Sequence, residues 1–333
     1  MKNLFDYATK ELSQDAFLRW LFENYACKDN LSLKVASQYI IKKMCGLSDE
    51  EIIEVKTYSQ WHKIDIFVLV KTDKRNIALF IEDKVFSSEH NQLLRYNEII
   101  EKSYKNKKWE LNKLGCTEDD IIKVFYKPLW LSEDETDAVK KAGWDIYNIE
   151  CIKYLFEKFS NTDCSVLKQY IEHISDIEKA LETRIMPKSS EKGLDLIKWK
   201  SYFEYEILPR IKTGSKELKY SVCIGIYNYA YLCIMKNVEG ESAVPYIELR
   251  SRDIDEDGLS VALLCYGADY EKNGEKIKNT AARLENAPNK LFMQKNKRKN
   301  EPKQLGRTAK TNEDVVPFLK KCIEDYEYIM KEW

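Results

Sequence analysis

Three charged side chains lie at the ends of two strongly apolar segments. Asp65 begins the first segment, Ile64–Val70, and Glu82 and Lys84 end the second, which starts with Ile77–Phe80. Carboxylate oxygens are the protein ligands that a hard divalent cation such as Mg²⁺ prefers. Such a cation lowers the pKa of a bound water and neutralises charge on phosphate oxygens, and a nearby lysine can orient that water or stabilise developing negative charge. If the three side chains meet, they suit phosphodiester hydrolysis.

The two apolar segments predict a pair of strands that brings these charges together. Both are rich in Ile, Val, Leu and Phe, as buried strands are, and the turn-prone residues Thr72–Asn76 join them. In a hairpin the start of the first strand lies beside the end of the second, so Asp65 would meet Glu82 and Lys84. Because side chains alternate across a strand, Glu82 and Lys84 would point the same way. The alternative is a solvated strand end with a surface ion pair of little energetic worth.

The spacing of these residues resembles a known family. Asp65, the seventeen-residue step to Glu82, and Lys84 are similar to the motif of the PD-(D/E)XK nuclease superfamily. Gln92-Leu-Leu-Arg-Tyr96 resembles the Gln-x-x-x-Tyr element of its RecB-type bacterial branch. The resemblance covers the first half of the chain and implies an α/β fold with a restriction-endonuclease-like core, a mixed central sheet flanked by helices. It also implies a metal-dependent nuclease with Mg²⁺ or Mn²⁺ as cofactor.

The same resemblance implies a set of metal ligands. Asp65 and Glu82 would hold the cation, and the backbone carbonyl of Asp83 could add a ligand, since such metals accept carbonyl oxygen. The segment around Glu11 resembles the first helix of the superfamily, where an acid faces the metal, so Glu11 is the expected additional acid. Asp15 is the rival acid in that segment. The alternative for Glu11 is an ordinary first-turn charge near a positive helix end.

Four further roles follow from the resemblance. Lys84 is expected to position or activate the attacking water, and Gln92 to steady Lys84 or a phosphate. Gln14 would line the cleft, and Gln14 and Tyr96 are expected to contact nucleic acid. Gln92 and Tyr96 are four residues apart and therefore share one helical face. The alternative for Gln92 is the helix surface, and for Tyr96 it is the helix core.

The composition limits the classes of protein to which the chain can belong. Of 333 residues, 44% are apolar and 33% charged, and the formal net charge is −1, so any attraction to nucleic acid must be local. No apolar run is long enough to span a membrane and no signal peptide is recognisable, which favours a cytoplasmic protein with reduced cysteines. The nine cysteines include no Cys-x-x-Cys pair and the three histidines lie far apart, so zinc is not expected.

Periodicity and turn signals predict two domains. A nuclease-like domain spans residues 1–186, the Pro-, Ser- and Gly-containing stretch 187–193 is a linker, and 194–333 is a smaller α+β domain that could bind nucleic acid or a partner. Alternation of strands and helices in the first domain argues for a mixed sheet covered by helices. There we expect helices from about Ser13 and at Ser32–Met44, Asn91–Lys102, Asp134–Ala142, Ile152–Phe159 and Val166–Arg184, and further strands at Glu51–Tyr58, Ile121–Tyr126 and Trp144–Ile149. In the second domain we expect helices at Leu194–Leu208, Tyr270–Glu285 and from Asp314, and strands at Tyr220–Tyr227, Tyr229–Met235, Tyr246–Ser251 and Ser260–Tyr266.

A basic run lies near the end of the chain. Between Lys290 and Lys310 there are eight basic residues and a single acid, Glu301. Contact of such a run with phosphates would give an affinity that depends on salt and ignores base sequence. The alternative is a solvated loop, which charge runs commonly are. Within the run, the residues expected to contact phosphate are the closely spaced Lys295, Lys297, Arg298 and Lys299.

The expected activity is cleavage of phosphodiester bonds, with DNA preferred. Resemblance to two-part bacterial nucleases implies a role in defence against phage or foreign DNA. Two alternatives stay open: a non-catalytic module that binds nucleic acid or a protein, and a toxin-like nuclease that cleaves RNA. The motif does not separate DNA from RNA, because the metal chemistry acts on the phosphate and leaves the sugar unread. The expected partner is nucleic acid, with a second copy of the chain or another protein beside it, and no membrane is expected.

Overall fold

The computed structural model describes most of the chain as two compact units, Met1–Lys179 and Ala180–Trp333. The described residues are 3–7, 11–85, 92–105, 110–188, 194–212, 217–225, 229–238, 244–255, 258–265, 278–280, 282–294 and 303–331. Within these ranges no helix is both long enough and apolar enough to cross a membrane. All nine cysteines are free thiols.

The first unit alternates helices and strands. Its helices are α1 Leu4–Tyr7, α2 Glu11–Glu23, α3 Leu31–Met44, α4 Gln92–Lys105, α5 Glu110–Lys113, α6 Glu133–Lys141, α7 Ile149–Phe156 and α8 Ser165–Leu181. Its strands are β1 Ile52–Trp61, β2 Ile64–Thr72, β3 Asn76–Asp83, β4 Ile121–Tyr126 and β5 Asp145–Tyr147. Local signals set several of these ends. The Asn30 side chain caps α3 by accepting from the Leu33 N–H, and Ser132 caps α6 by accepting from the Glu135 N–H.

The five strands form one mixed sheet in the order β1-β2-β3-β4-β5. β1, β2 and β3 pair antiparallel as a meander, whereas β3–β4 and β4–β5 are parallel. β2 and β3 are buried along nearly their whole length, as central strands covered on both faces are. The predicted α/β class, with a mixed sheet flanked by helices, is therefore confirmed.

Helices cover both faces of this sheet. α2 packs against β1, β2 and β3. α4 packs through Leu93, Tyr96 and Ile100, spaced three and four residues apart, onto a layer that includes Phe67 and Phe80 of the sheet. Each such side chain removed from water contributes about 1.5–3 kcal/mol. This packing fixes α4 beside the end of the sheet where the charged residues lie.

The second unit is an α+β domain, as predicted. Its helices are α9 Leu194–Tyr202, continued by a π-helical turn at Phe203–Ile207 and by α10 Leu208–Ile211, and the terminal α11 Val315–Ile329. Its strands are β6 Leu218–Gly225, β7 Tyr229–Lys236, β8 Tyr246–Arg250, β9 Ile254–Asp255, β10 Gly258–Leu259, β11 Ala262–Cys265, β12 Phe292–Gln294 and β13 Lys303–Thr308. Six strands pair in the order β12-β13-β11-β8-β7-β6, and β9 and β10 form a separate pair.

Four strands of the second unit were not expected: the short pair β9 and β10, and also β12 and β13. β12 and β13 lie in the basic run, for which the sequence indicated no strand. The apolar signal of β13 is weak, because Leu305 is its single large apolar residue and Gly306 lies beside it. β12 is only three residues long. The predicted helix Tyr270–Glu285 lies partly outside the described residues; residues 278–280 are helical and Leu284–Asn286 form a 3₁₀ turn.

Candidate active site

The register between β2 and β3 brings Asp65 and Glu82 to the same end of the sheet. Ile66 pairs with Ile81, so Asp65 and Glu82 are the next residues toward that end. The backbone N–H of Asp83 donates a hydrogen bond to Asp65 Oδ2 at 3.0 Å. The hairpin expected from the two apolar segments thus forms, and it places a half-buried carboxylate beside a fully buried one.

Glu82 and Lys84 point to one face of the sheet and form an ion pair. Lys84 Nζ lies 2.6 Å from Glu82 Oε1, and the two side chains are 10% and 2% exposed. The backbone N–H of Lys84 donates to the Tyr126 carbonyl at 2.9 Å, so the ladder between β3 and β4 extends to the lysine. Because both charges are buried, their interaction is far less screened than that of a surface pair.

The environment of Glu82 raises the pKa of its carboxyl from 4.5 to about 8. Burial is the largest cause, because it penalises the charged form, and the negative charge of Asp65 adds to it. The ion pair with Lys84 acts in the opposite direction and offsets only part of the rise. Burial and the charge of Asp65 therefore outweigh the ion pair with Lys84, and the carboxyl of Glu82 holds its proton more tightly than an ordinary glutamate does.

The residues at this end of the sheet fit a divalent cation in part. Glu82 Oε2 is buried and has no hydrogen-bond partner among the described residues, so it is an oxygen that a cation would satisfy. The negative charge of Asp65 beside it also favours a cation, because a cation would reduce the repulsion between the two carboxylates. Among the described side chains, however, no group of three or more His, Cys, Asp or Glu residues could hold a metal. Glu11 lies in the first turn of α2, but its side chain is outside the described part of the structure.

The side chain of Asp83 points away from Glu82 and Lys84, toward α2. It is completely buried, and the Gln14 side-chain amide donates a hydrogen bond to its Oδ1. Asp15 is buried on the same helix. The structure therefore gives Gln14 a contact that joins α2 to β3, which sequence reasoning missed. The sequence signal for this contact was Asp83 itself, since an acid at a buried strand position needs a hydrogen-bond partner. Contact of Gln14 with nucleic acid, and the Asp83 carbonyl as a ligand, stay predictions.

Tyr96 and Gln92 both lie on α4, the helix beside the site, and Gln92 is its first residue. The Tyr96 side chain is buried, and its hydroxyl donates to the Lys63 carbonyl at 2.9 Å, across the turn that precedes Asp65. Burial raises the pKa of Tyr96, and the charge of Glu82 raises it further. Gln92 is half-buried and shares the helical face of Tyr96. Contact of Tyr96 with nucleic acid and the role of Gln92 stay predictions.

A second buried ion pair lies at the same edge of the sheet, and the sequence did not indicate it. Lys127 follows β4 as Lys84 follows β3, and the pairing of Asp83 with Tyr126 makes the two lysines neighbours in register. Lys127 Nζ lies 2.8 Å from both carboxylate oxygens of Glu135 on α6. The pair fixes the start of α6 against the carboxyl end of β4.

The basic run of the second unit is described only in part. Lys295, Lys297, Arg298 and Lys299 lie outside the described residues. Arg307, in the same run, donates from its two terminal nitrogens to the Asp253 carboxylate at 3.0 and 3.2 Å, and also to Ser260. Phosphate contact by the four chosen residues stays a prediction.

Comparison with known proteins agrees with this geometry. Residues 2–191, more than half of the 333-residue chain, match a family model described as the PD-(D/E)XK nuclease superfamily. The matched range includes the whole sheet of the first unit and every charged residue at its end. No curated protein and no solved structure gives a significant match to the chain.

Proposed function

Since this chain belongs to the PD-(D/E)XK nuclease superfamily, we propose that it is a metal-dependent nuclease that hydrolyses phosphodiester bonds, with DNA as the preferred substrate. One observation supports this most directly: Asp65, Glu82 and Lys84 meet at one end of the sheet, with Lys84 Nζ 2.6 Å from Glu82. Members of the superfamily generally use divalent metal ions, and the buried Glu82 oxygen without a hydrogen-bond partner among the described residues suits one.

The metal site would use the two carboxylates at the strand ends. Asp65 and Glu82 would hold Mg²⁺ or Mn²⁺, with the Asp83 carbonyl and the Glu11 carboxylate completing the ligands. The bound cation would lower the pKa of water and neutralise charge on the phosphate. Binding would require Glu82 to be ionised, so it would displace the proton that the raised pKa otherwise keeps there.

Lys84 is the group that would act on the reacting atoms. Its ammonium is held in place by Glu82 and by the backbone bond to Tyr126. From that position it would orient the attacking water or stabilise the negative charge that develops on the phosphate oxygens. Gln92, on the adjoining helix, would steady Lys84 or a phosphate oxygen.

The preference for DNA and a role in defence against phage or foreign DNA are supported by resemblance alone. The site groups address the phosphate, so an RNA-cleaving, toxin-like nuclease is the second candidate within the same chemistry. A third candidate is a non-catalytic binding module. The presence of Asp65, Glu82 and Lys84 together argues against it.

Cleavage assays separate these candidates. Supercoiled plasmid, a DNA duplex and a single-stranded RNA should be incubated with Mg²⁺ or Mn²⁺, with and without EDTA. We expect metal-dependent cleavage of DNA by the wild-type protein, none by Asp65→Asn and strongly reduced cleavage by Lys84→Ala. The control is Lys74→Ala, since Lys74 is exposed in the turn between β2 and β3, at the opposite end of the hairpin. Cleavage of RNA alone would select the second candidate, and nucleic acid binding without any cleavage would select the third.

A further inference from the structure

The turn between β1 and β2 has an unusual backbone. Trp61 pairs with Ile64, so His62 and Lys63 form a two-residue turn, and their φ angles are 49° and 77°. Positive φ at both central positions is the feature of a type I′ turn, which favours Asn-Gly because other side chains are strained there. Gln60, just before, has a φ of 54°. In the described chain only one other non-glycine residue, Lys290, has a positive φ.

Contacts with residues of the candidate active site hold this turn in place. The Gln60 side-chain amide donates to Asp65 Oδ1 at 3.0 Å, and the Tyr96 hydroxyl donates to the Lys63 carbonyl at 2.9 Å. A strained backbone persists only where its surroundings determine it, and such strain concentrates at ligand-binding and catalytic sites. Here the residues that hold the strained turn are Asp65, a proposed metal ligand, and Tyr96, a neighbour of Glu82.

The turn adds exposed positive charge at the end of the sheet that holds the carboxylates. The Lys63 and His62 side chains are exposed. Arg95 is exposed as well, and its guanidinium carbon lies 5.8 Å from the centre of the Tyr96 ring. Tyr96 thus contacts the backbone of one exposed basic residue, on the turn, and the guanidinium of another, on α4. These two exposed cations lie near the carboxylates of the candidate active site, so this end of the sheet presents groups that could hold both a metal and a phosphate.

We propose that Lys63 and Arg95 form a phosphate-binding rim beside the active site. They would contact backbone phosphates of the nucleic acid near the bond that is cleaved. The inference rests on the proposed nuclease function and adds the residues that would hold the substrate. Asn-Gly would relieve the strain of the turn, but it would remove the lysine. Phosphate contacts of this kind supply affinity and position without reading base sequence.

Replacing the turn separates binding from stability. In the double variant His62→Asn, Lys63→Gly, we expect a higher thermal midpoint, because the backbone strain is relieved, together with weaker binding of nucleic acid. Lys63→Ala and Arg95→Ala should each weaken binding and lower the slope of log affinity against log salt by about 0.9 for a duplex. For cleavage, KM should rise while kcat is kept. Lys74→Ala, at the far end of the same hairpin, is the matched control and should bind as the wild type does.

The probes are a labelled DNA duplex and an RNA strand of equal length, with Ca²⁺ in place of Mg²⁺, since phosphate is common to both. Weaker binding and a lower salt slope in the two single variants, with an unchanged control, support the rim. Unchanged affinity and slope in both single variants overturn it, even if the wild-type protein cleaves normally. A double variant with a lower thermal midpoint would contradict the strain argument. A wild-type protein that neither binds nor cleaves either probe would instead overturn the proposed nuclease.

Discussion

Glu82 is the side chain on which the chemistry of the site depends most. Its carboxyl is buried, lies beside Asp65 and has a pKa raised from 4.5 to about 8. The folded protein therefore binds a proton at Glu82 over a pH range in which the unfolded chain has released it. A carboxyl whose pKa is higher in the folded protein than in the unfolded chain lowers the stability of the metal-free protein as pH rises from the unfolded pKa to the folded pKa.

This sign gives a test in the absence of metal. With EDTA present, the thermal midpoint of the wild-type protein should fall as pH rises from about 4.5 to about 8. In Glu82→Gln the fall should be smaller, because the substituted side chain does not ionise. Glu98→Gln is the control, since Glu98 is exposed on α4. Equal pH slopes for wild type and Glu82→Gln would show that Glu82 is ionised in the folded state across this range.

Lys84 should matter for turnover and little for binding. In Lys84→Ala we expect kcat to fall by about 10²–10³-fold, the effect of removing one group that stabilises charge in the transition state. Affinity for a duplex in Ca²⁺ should stay close to that of the wild type, because the proposed phosphate contacts are made by other residues. Single-turnover cleavage and equilibrium binding give the two numbers. A parallel collapse of affinity would make Lys84 a substrate anchor.

At the scale of elements, the ends of β3 and β4 are each closed by a buried lysine that pairs with a glutamate. Lys84 pairs within its own strand end, whereas Lys127 pairs with Glu135 on α6. The second pair links a helix to the sheet edge beside the active site. Loss of this contact should therefore lower the free energy of unfolding and shift the position of α6.

The cost of breaking the second pair can be measured. Glu135→Ala removes the carboxylate that pairs with the buried Lys127 ammonium and should lower the free energy of unfolding by about 3–5 kcal/mol. The control is Glu178→Ala, which removes the partly exposed pair with Lys153 and should cost below about 1 kcal/mol. Urea unfolding of the two variants tests the difference. A loss from Glu135→Ala no larger than the control would mean that the Lys127 ammonium gains water or another partner.

The β2–β3 hairpin could be predicted from the sequence because its signals are local. Apolar runs, a short turn and the alternation of side chains were enough to place Asp65 beside Glu82. The bond between Gln14 and Asp83 could not be predicted, since it joins residues far apart in the chain and depends on how α2 packs on the sheet. Lys127 reads as an ordinary charge after a strand until the register with β3 is known. β13 was missed because Leu305 is its single large apolar residue, and β12 because it is only three residues long.

At the scale of the whole molecule, the chain combines a unit that belongs to a nuclease superfamily with a second unit of unassigned role. With a net charge of −1, the protein has no overall field that would attract nucleic acid, so binding depends on local clusters. Two such clusters are proposed: the rim of Lys63 and Arg95 in the first unit, and the basic run in the second. Their contributions to binding can be measured separately.

The basic run can be tested through the salt dependence of binding. Replacing Lys295, Lys297, Arg298 and Lys299 by Ala should lower the salt slope for a short duplex by up to about four units if all four contact phosphate. Cleavage of a saturating substrate should persist, because Asp65 and Glu82 belong to the first unit. The measurement is affinity across a salt series with Ca²⁺ in place of Mg²⁺. An unchanged slope and affinity would identify the run as a solvated segment and leave a protein partner as the role of the second unit.

The mixed pairing of the first sheet has a consequence for how the protein folds. β1, β2 and β3 form a meander closed by short turns, so their contacts cost little loop-closure entropy, whereas the parallel pair β3–β4 must first close the long connection from Asp83 to Ile121. During folding we expect Asp65 and Glu82 to come together early, and the hydrogen bond from the Lys84 backbone N–H to the Tyr126 carbonyl to form late. In pulse-labelling hydrogen exchange during refolding, the amides of β2 should gain protection before those of Lys84 and Lys127. Simultaneous protection would show instead that the meander and the parallel strands form in one cooperative step.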